Sequence, residues 1–134
     1  MGTFNQDIIV FFKLGILSYL IDFLTAKDLY KNCKYPITNQ IEILIHHILF
    51  MFSLTGWLSN NKTILIMYVV GLLLTVIHWK YSNYNCKLTE NIKNDCNISN
   101  GLRSPINLLK INNIPFLKKL FYVTVIYALY KIYY

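Results

Sequence analysis

Three long runs of apolar residues constrain this chain most strongly. They cover residues 8–26, 41–59 and 63–81, and each is close to the roughly 20 residues that a helix rising about 1.5 Å per residue needs to cross a bilayer. Only residues 60–62 separate the second run from the third, so these two helices must form an antiparallel hairpin. The runs predict an all-α integral membrane protein with one transmembrane domain over residues 1–134.

A fourth apolar stretch, residues 116–134, is rich in tyrosine. Pro115 can open a helix there, because proline is tolerated in the first helical turn. The lysines of this stretch lie near its two ends, where their apolar stems can reach the membrane surface. We predict a crossing, and thus a bundle of four helices; the alternative is a helix that lies in the interface with its apolar face down. The polar loop 82–114 is expected to contain turns and a short amphipathic piece around residues 106–111.

The positive charge of the chain is concentrated between the apolar runs. Thirteen Lys and Arg stand against six Asp and Glu, although only 14% of the residues are charged. With four crossings, residues 27–40 and 80–119 share one side and carry ten of the thirteen basic residues. Because basic loops favour the cytosolic side, both loops are predicted to face the cytosol and both termini the opposite compartment. Asn and Tyr interrupt the lysines, so we expect no nucleic-acid partner.

The three cysteines, Cys33, Cys86 and Cys96, give no sign of a structural site. They are too few for a disulfide framework, and their spacing is not that of a zinc knuckle. On the predicted orientation all three face the reducing cytosol, so disulfides are not expected.

Several ionisable residues inside the predicted spans lie at one depth, near the basic face. Such groups are costly in a membrane and usually face the bundle interior. Glu42 and His46 are four residues apart and share a helix face, whereas His47 points about 100° away. The set comprises Asp22, Glu42, His46, His47 and His78.

Two interpretations of this set are open. The groups can simply cap helix ends, as the helix dipole favours for Glu42 and His78. Alternatively, imidazoles from neighbouring helices bind a zinc ion, an iron ion or a haem. The candidate haem or other cofactor ligands are His46, His47 and His78, and the candidate metal ligands are these three with Cys86, Asp22 and Glu42.

An ordered set of short motifs runs from about residue 41 to residue 96. It comprises His46-His47, Gly56-Trp57-Leu58, His78-Trp79 and Asn85-Cys86-Lys87-Leu88-Thr89. The set resembles small, uncharacterised multi-pass membrane proteins encoded by large DNA viruses of protists and algae. The resemblance implies that these motifs form one unit, with the Cys86 turn folded back toward His78, and it implies no activity.

The functional expectation is a structural or interaction protein of a viral or organellar membrane. Gly-rich phosphate loops, GxSxG and HExxH motifs are absent from the sequence, so enzyme activity is not expected. The expected partners are the lipid bilayer and other membrane proteins or further copies of this chain. The alternatives are a metal- or haem-binding membrane protein and a small carrier or channel that uses Lys13 and Asp22.

Overall fold

Helices are the only regular elements in the part of the chain that the computed structural model describes, which is residues 3–25, 30–82, 87–97 and 114–134. The predicted all-α fold is confirmed for these residues. The elements are α1 (Phe4–Thr25), α2 (Pro36–Thr55), a 3-10 turn (Gly56–Leu58), α3 (Lys62–Tyr81), α4 (Lys87–Asp95) and α5 (Ile114–Tyr133).

Three of the helices are long and apolar enough to cross a membrane: α1, α2 with its 3-10 turn, and α3. Only about a fifth of the residues in each are buried inside the protein. Large apolar side chains therefore face outward along their whole length, as lipid-covered helices require. α5 has 20 residues, but with three lysines it is less apolar than these helices and is not among the candidate spans. The fourth crossing therefore stays a prediction.

α2 begins at Pro36 rather than near residue 41. Proline is suited to this first position, where its missing N–H has no partner in any helix. Asn39 completes the helix start, because its side-chain oxygen accepts from the Tyr35 N–H at 3.1 Å. The polar residues of this first turn thus belong to the helix and not to the preceding loop.

α4 is an amphipathic helix in a region where the sequence predicts turns. Leu88, Ile92 and Cys96 follow each other at intervals of four residues, which places them on one helix face. Ile92 is buried against Ile43 of α2, so this face docks on the start of α2. The amphipathic piece predicted at residues 106–111 lies outside the described residues.

Cys33 and Cys96 form a disulfide, so the expectation of no disulfide is wrong for these two residues. They are 63 residues apart in sequence, and the docking of α4 on α2 brings them together. The expectation rests on the small number of cysteines and on the predicted reducing side of these loops, and neither argument shows which residues the fold brings together. The backbone N–H of Lys34 donates to the Asp95 carbonyl at 2.8 Å beside the disulfide.

The long helices associate as two antiparallel pairs, α1 with α2 and α3 with α5. In the second pair, the Tyr68 O–H donates to Thr124 Oγ1 at 2.9 Å, and Ala128 is fully buried. The Lys131 ammonium near the end of α5 donates to the carbonyls of Trp57 and Ser59. α5 therefore ends beside the turn at which α3 begins.

Gly15 allows the closest approach between α1 and α2. A Cβ at this position would lie 2.6 Å from the Cα of Ile48, whereas one at Gly71 of α3 would meet nothing within 4 Å. Gly15→Ala is therefore expected to destabilise the protein by about 1–3 kcal/mol through overpacking. Gly71→Ala is expected to be neutral or slightly stabilising, because alanine favours helix. Unfolding by SDS in mixed micelles measures both, and equal losses would contradict the close contact.

Candidate functional site

One stripe of α1 carries all of its buried positions. The buried residues of this helix are Asp7, Phe11, Gly15, Ser18 and Asp22. Steps of three and four residues keep them on a single face. Small and polar residues at a helix interface are the means by which membrane helices associate, since lipid tails are as apolar as leucine. The stripe is thus the packing face of α1.

His47 of α2 lies between Ser18 and Asp22 of α1. Its Nε2 is 3.2 Å from Asp22 Oδ2, and its Nδ1 is 2.8 Å from Ser18 Oγ. A carboxylate accepts, so Nε2 donates to Asp22, and Nδ1 shares a second hydrogen bond with the Ser18 hydroxyl. Asp22 and His47 are 0% exposed and Ser18 is 6% exposed. These contacts form a hydrogen-bonded link across the α1–α2 interface that water does not reach.

Tyr30 joins this link from the loop that follows α1. Its O–H donates to Asp22 Oδ2 at 2.7 Å, and its ring packs in the cluster that surrounds the disulfide. We call Ser18, Asp22, Tyr30 and His47 the inner network. It connects the interior of the spans with the disulfide-bonded loops.

Asn39 forms a second polar junction near the same end of the bundle. Its Nδ2 donates to Asp95 Oδ2 at 2.9 Å and to Glu42 Oε2 at 3.2 Å, and the residue is fully buried. Asn39 thereby fastens α4 to α2. Glu42 is part of this junction, a role that the sequence does not predict.

Asp7 belongs to a polar cluster at the opposite end of the bundle. The Ser59 O–H donates to its carboxylate, and Ser59 Oγ accepts the Asn61 N–H at 3.0 Å. Both Asp7 and Ser59 are buried, and Lys131 donates to the Ser59 carbonyl at 3.2 Å. We call Asp7, Ser59, Asn61 and Lys131 the outer network. It ties α1, the α2–α3 turn and α5 together.

The predicted ligand residues are only partly brought together. Asp22 and His47 meet, while His78 is exposed in the last turn of α3, and Cys86 lies outside the described residues. The His46 ring lies 5.9 Å from that of His47, and its buried Nε2 has no hydrogen-bond partner in the described part of the chain.

No group of three or more His, Cys, Asp or Glu side chains within residues 3–25, 30–82, 87–97 and 114–134 is arranged to hold a metal ion. The zinc, iron and haem assignments therefore receive no support from these residues and stay predictions.

The order Ser18–His47–Asp22 is that of a hydrolase triad, but the surroundings do not suit that chemistry. In such triads the serine bonds Nε2 and the aspartate bonds Nδ1, and here the two ring nitrogens are exchanged. Ser18 Oγ is also enclosed between two helices. The arrangement can fix helices together, and it offers no access for a substrate.

Lys13 does not share a face with the inner network. Nine residues separate it from Asp22, which turns the two side chains to opposite sides of α1, and Lys13 is exposed. A polar path that joins these two residues, as the carrier interpretation needs, is therefore not formed along α1.

The chain matches no protein-family model, no curated protein and no solved structure at a significant level. The length and hydropathy of three helices, together with their outward apolar faces, are compatible with a membrane protein that has three candidate spans.

Proposed function

We propose that this chain is a small multi-pass membrane protein with a structural or interaction role. The observation that carries the proposal is that the ionisable side chains buried in the candidate spans, Asp7, Asp22 and His47, bind polar partners on neighbouring elements of the protein. Asp22 contacts His47, and Asp7 contacts Ser59. Side chains that hold helices together in this way are not available to a substrate or a transported ion, and the exposed surface of the three candidate spans consists largely of apolar side chains.

We further propose that α5 is a fourth crossing. α5 runs antiparallel to α3, with Thr124 bonded to Tyr68 and Lys131 beside the start of α3. If α3 crosses the membrane, α5 must cross it too, because α5 contacts α3 from Tyr68 to the start of that helix. Lys118 and Lys119 then lie at one interface and Lys131 at the other, where their stems can reach the headgroups.

The proposed orientation places both long loops in the cytosol and both termini on the opposite side. Its support is the distribution of basic residues, ten of which lie in residues 27–40 and 80–119. The Cys33–Cys96 disulfide makes the opposite prediction, because disulfides persist in oxidising compartments. We base the proposed orientation on the lysine bias, since it sums over ten side chains, and the state of the two cysteines in living cells tests it.

The proposed partners are the lipid bilayer and other membrane proteins or further copies of this chain. The membrane of a large DNA virus or an organelle is proposed from the motif resemblance and from the abundance of Asn, Ile, Lys and Tyr, which is typical of AT-rich genomes. No nucleic-acid partner is proposed.

Site-specific photo-crosslinking in native membranes tests the interaction role. A crosslinker at Leu73, which is 55% exposed on α3, is expected to give a discrete protein adduct, whereas one at Leu65, which is 1% exposed, is expected to give none. Lipid adducts alone at Leu73 and at other outward positions would contradict the interaction role.

Purified protein tests the two alternatives. We expect substoichiometric zinc, iron and copper, no Soret absorbance, and reconstituted vesicles as tight to K⁺ and protons as empty ones. One metal ion or haem per chain that is lost in His46→Ala or His47→Ala would establish the cofactor alternative. A flux that Lys13→Gln or Asp22→Asn abolishes would establish the carrier.

A further inference from the structure

An open apolar groove follows the seam between α1 and the first turns of α2. It has a volume of about 370 Å³ and is lined by Tyr19, Pro36, Ile37, Gln40, Ile41 and Leu44. This volume lies within the range of small-molecule sites. Much of its wall faces outward, with Ile37 79% and Ile41 52% exposed, so in a bilayer this groove opens to lipid.

We propose that the groove binds an anionic phospholipid, with an acyl chain along α2 and the phosphate at Lys34. The side chains along the start of α2 change from charged to polar to apolar, which is the order of headgroup, ester and acyl chain in such a lipid. Lys34 precedes the helix, Gln40 lies about one turn inside it, and Leu44 lies about 12 Å beyond Pro36. Charge, amide and hydrocarbon thus follow one another from the membrane surface inward.

Gln40 supplies the polar group at the depth of the lipid ester carbonyls. The Tyr19 O–H donates to Gln40 Oε1 at 2.7 Å, which fixes the carboxamide at the groove wall. The NH₂ group of that carboxamide carries two donors, and no acceptor for it is found among the described residues. The ester carbonyl of a lipid seated in the groove is an acceptor for these donors.

The charge next to the groove suits an anionic headgroup, because Lys34 stands two residues before Pro36, the first residue of α2 that lines the groove. Lys34 is exposed, with its Nζ 5.4 Å from the centre of the Tyr35 ring. Glu42 is turned about 200° away from Gln40 around α2, and both Glu42 and Asp95 are bound to Asn39. This inference rests on the proposed orientation, which places the groove in the cytosolic leaflet, where anionic lipids are enriched.

Native mass spectrometry of the full chain, extracted from vesicles of nine parts phosphatidylcholine and one part phosphatidylserine, tests the site. Phosphatidylserine is expected to remain bound well above its share of the vesicle. Lys34→Gln should lower this retention roughly fivefold, the loss expected for one lysine near an anionic surface. Ile41→Trp should abolish it by filling the groove. The matched controls are Lys13→Gln and Val70→Trp, which change an exposed lysine and an exposed apolar residue elsewhere.

If phosphatidylcholine and phosphatidylserine remain bound in the nine-to-one ratio of the vesicles, the proposed site is contradicted. An equal loss in Lys34→Gln and Lys13→Gln would contradict it as well. Circular dichroism of Ile41→Trp shows whether that variant folds, and Lys34→Gln decides the outcome if it does not. Failure of the chain to enter vesicles would overturn the proposed membrane protein itself, whereas entry without a preference for phosphatidylserine overturns the lipid site alone.

Discussion

Asp22→Ala is expected to lower the free energy of unfolding by about 3 kcal/mol, because it leaves two buried donors without an acceptor at a cost of about 1–3 kcal/mol each. In the wild type, Asp22 Oδ2 accepts hydrogen bonds from His47 Nε2 at 3.2 Å and from the Tyr30 hydroxyl at 2.7 Å. Both donors lose their acceptor where water cannot replace it, because both residues are buried. SDS titration in mixed micelles, followed by circular dichroism, measures the loss.

Related variants show whether the loss comes from the inner network or whether any polar substitution in these helices destabilises the protein. Asp22→Asn keeps an acceptor oxygen of the same shape and should lose less than Asp22→Ala. Ser18→Ala should cost about 0.6 kcal/mol, the average for hydrogen bonds between membrane helices. Ser53→Ala, whose hydroxyl bonds to the Leu49 carbonyl of its own helix, should cost close to nothing. Equal losses for the two serine variants would contradict an interhelical link.

A double variant tests whether Asp22 and His47 act as a pair. Each single change leaves a buried polar partner behind, whereas Asp22→Ala with His47→Leu removes both. The double variant should therefore lose clearly less stability than the sum of the two single variants. Additive losses would mean that the two side chains stabilise the protein independently.

The positions of the long helices are predictable because apolar length is a local property of the sequence. The apolar runs at residues 63–81 and 116–134 correspond to α3 and α5 within one or two residues. The earlier start of α2 is less visible, because the polar residues after Pro36 look like a loop until Asn39 is known to complete the helix start.

The candidate site is only half predictable. The sequence predicts that Asp22 and His47 lie at one depth, and they meet. The members of the stripe from Asp7 to Asp22 follow one another at steps of three and four residues, and the sequence-based prediction includes one of them, Asp22. The partners Ser18 and Tyr30 cannot be named in this way, because hydroxyl groups occur throughout the chain and only packing selects them.

Contacts made by α4 could not be predicted at all. The stripe of Leu88 and Ile92 is readable, but nothing in it specifies the surface of α2 that it covers. The Asn39–Asp95 bond and the Cys33–Cys96 disulfide both depend on that docking. Contacts between residues so distant in sequence are a property of the fold.

Loss of the disulfide is the second large effect that we expect. Cys33→Ser with Cys96→Ser should lower the free energy of unfolding by up to about 4 kcal/mol, the chain-entropy value for a crosslink that spans 63 residues. The figure is an upper limit, because α2 and α3 within the crosslinked segment remain helical in micelles. Dithiothreitol should produce the same loss in the oxidised wild type and none in the double variant. Cys86→Ser, which retains the bonded pair, should behave as the wild type does.

The same two cysteines report the side of the membrane on which the loops lie. If the lysines set the orientation, Cys33 and Cys96 face the cytosol; because both are buried, the cells are lysed directly into SDS with a maleimide, and both should then react without a reductant. Asn97, which is exposed and begins the glycosylation sequence Asn97-Ile98-Ser99, should then carry no glycan. Cysteines that react only after reduction, together with a glycan that Asn97→Gln removes, would instead place the loops in an oxidising lumen. In that case the orientation reverses, the disulfide is a permanent part of the fold, and the basic loops need an anionic partner outside the cytosol.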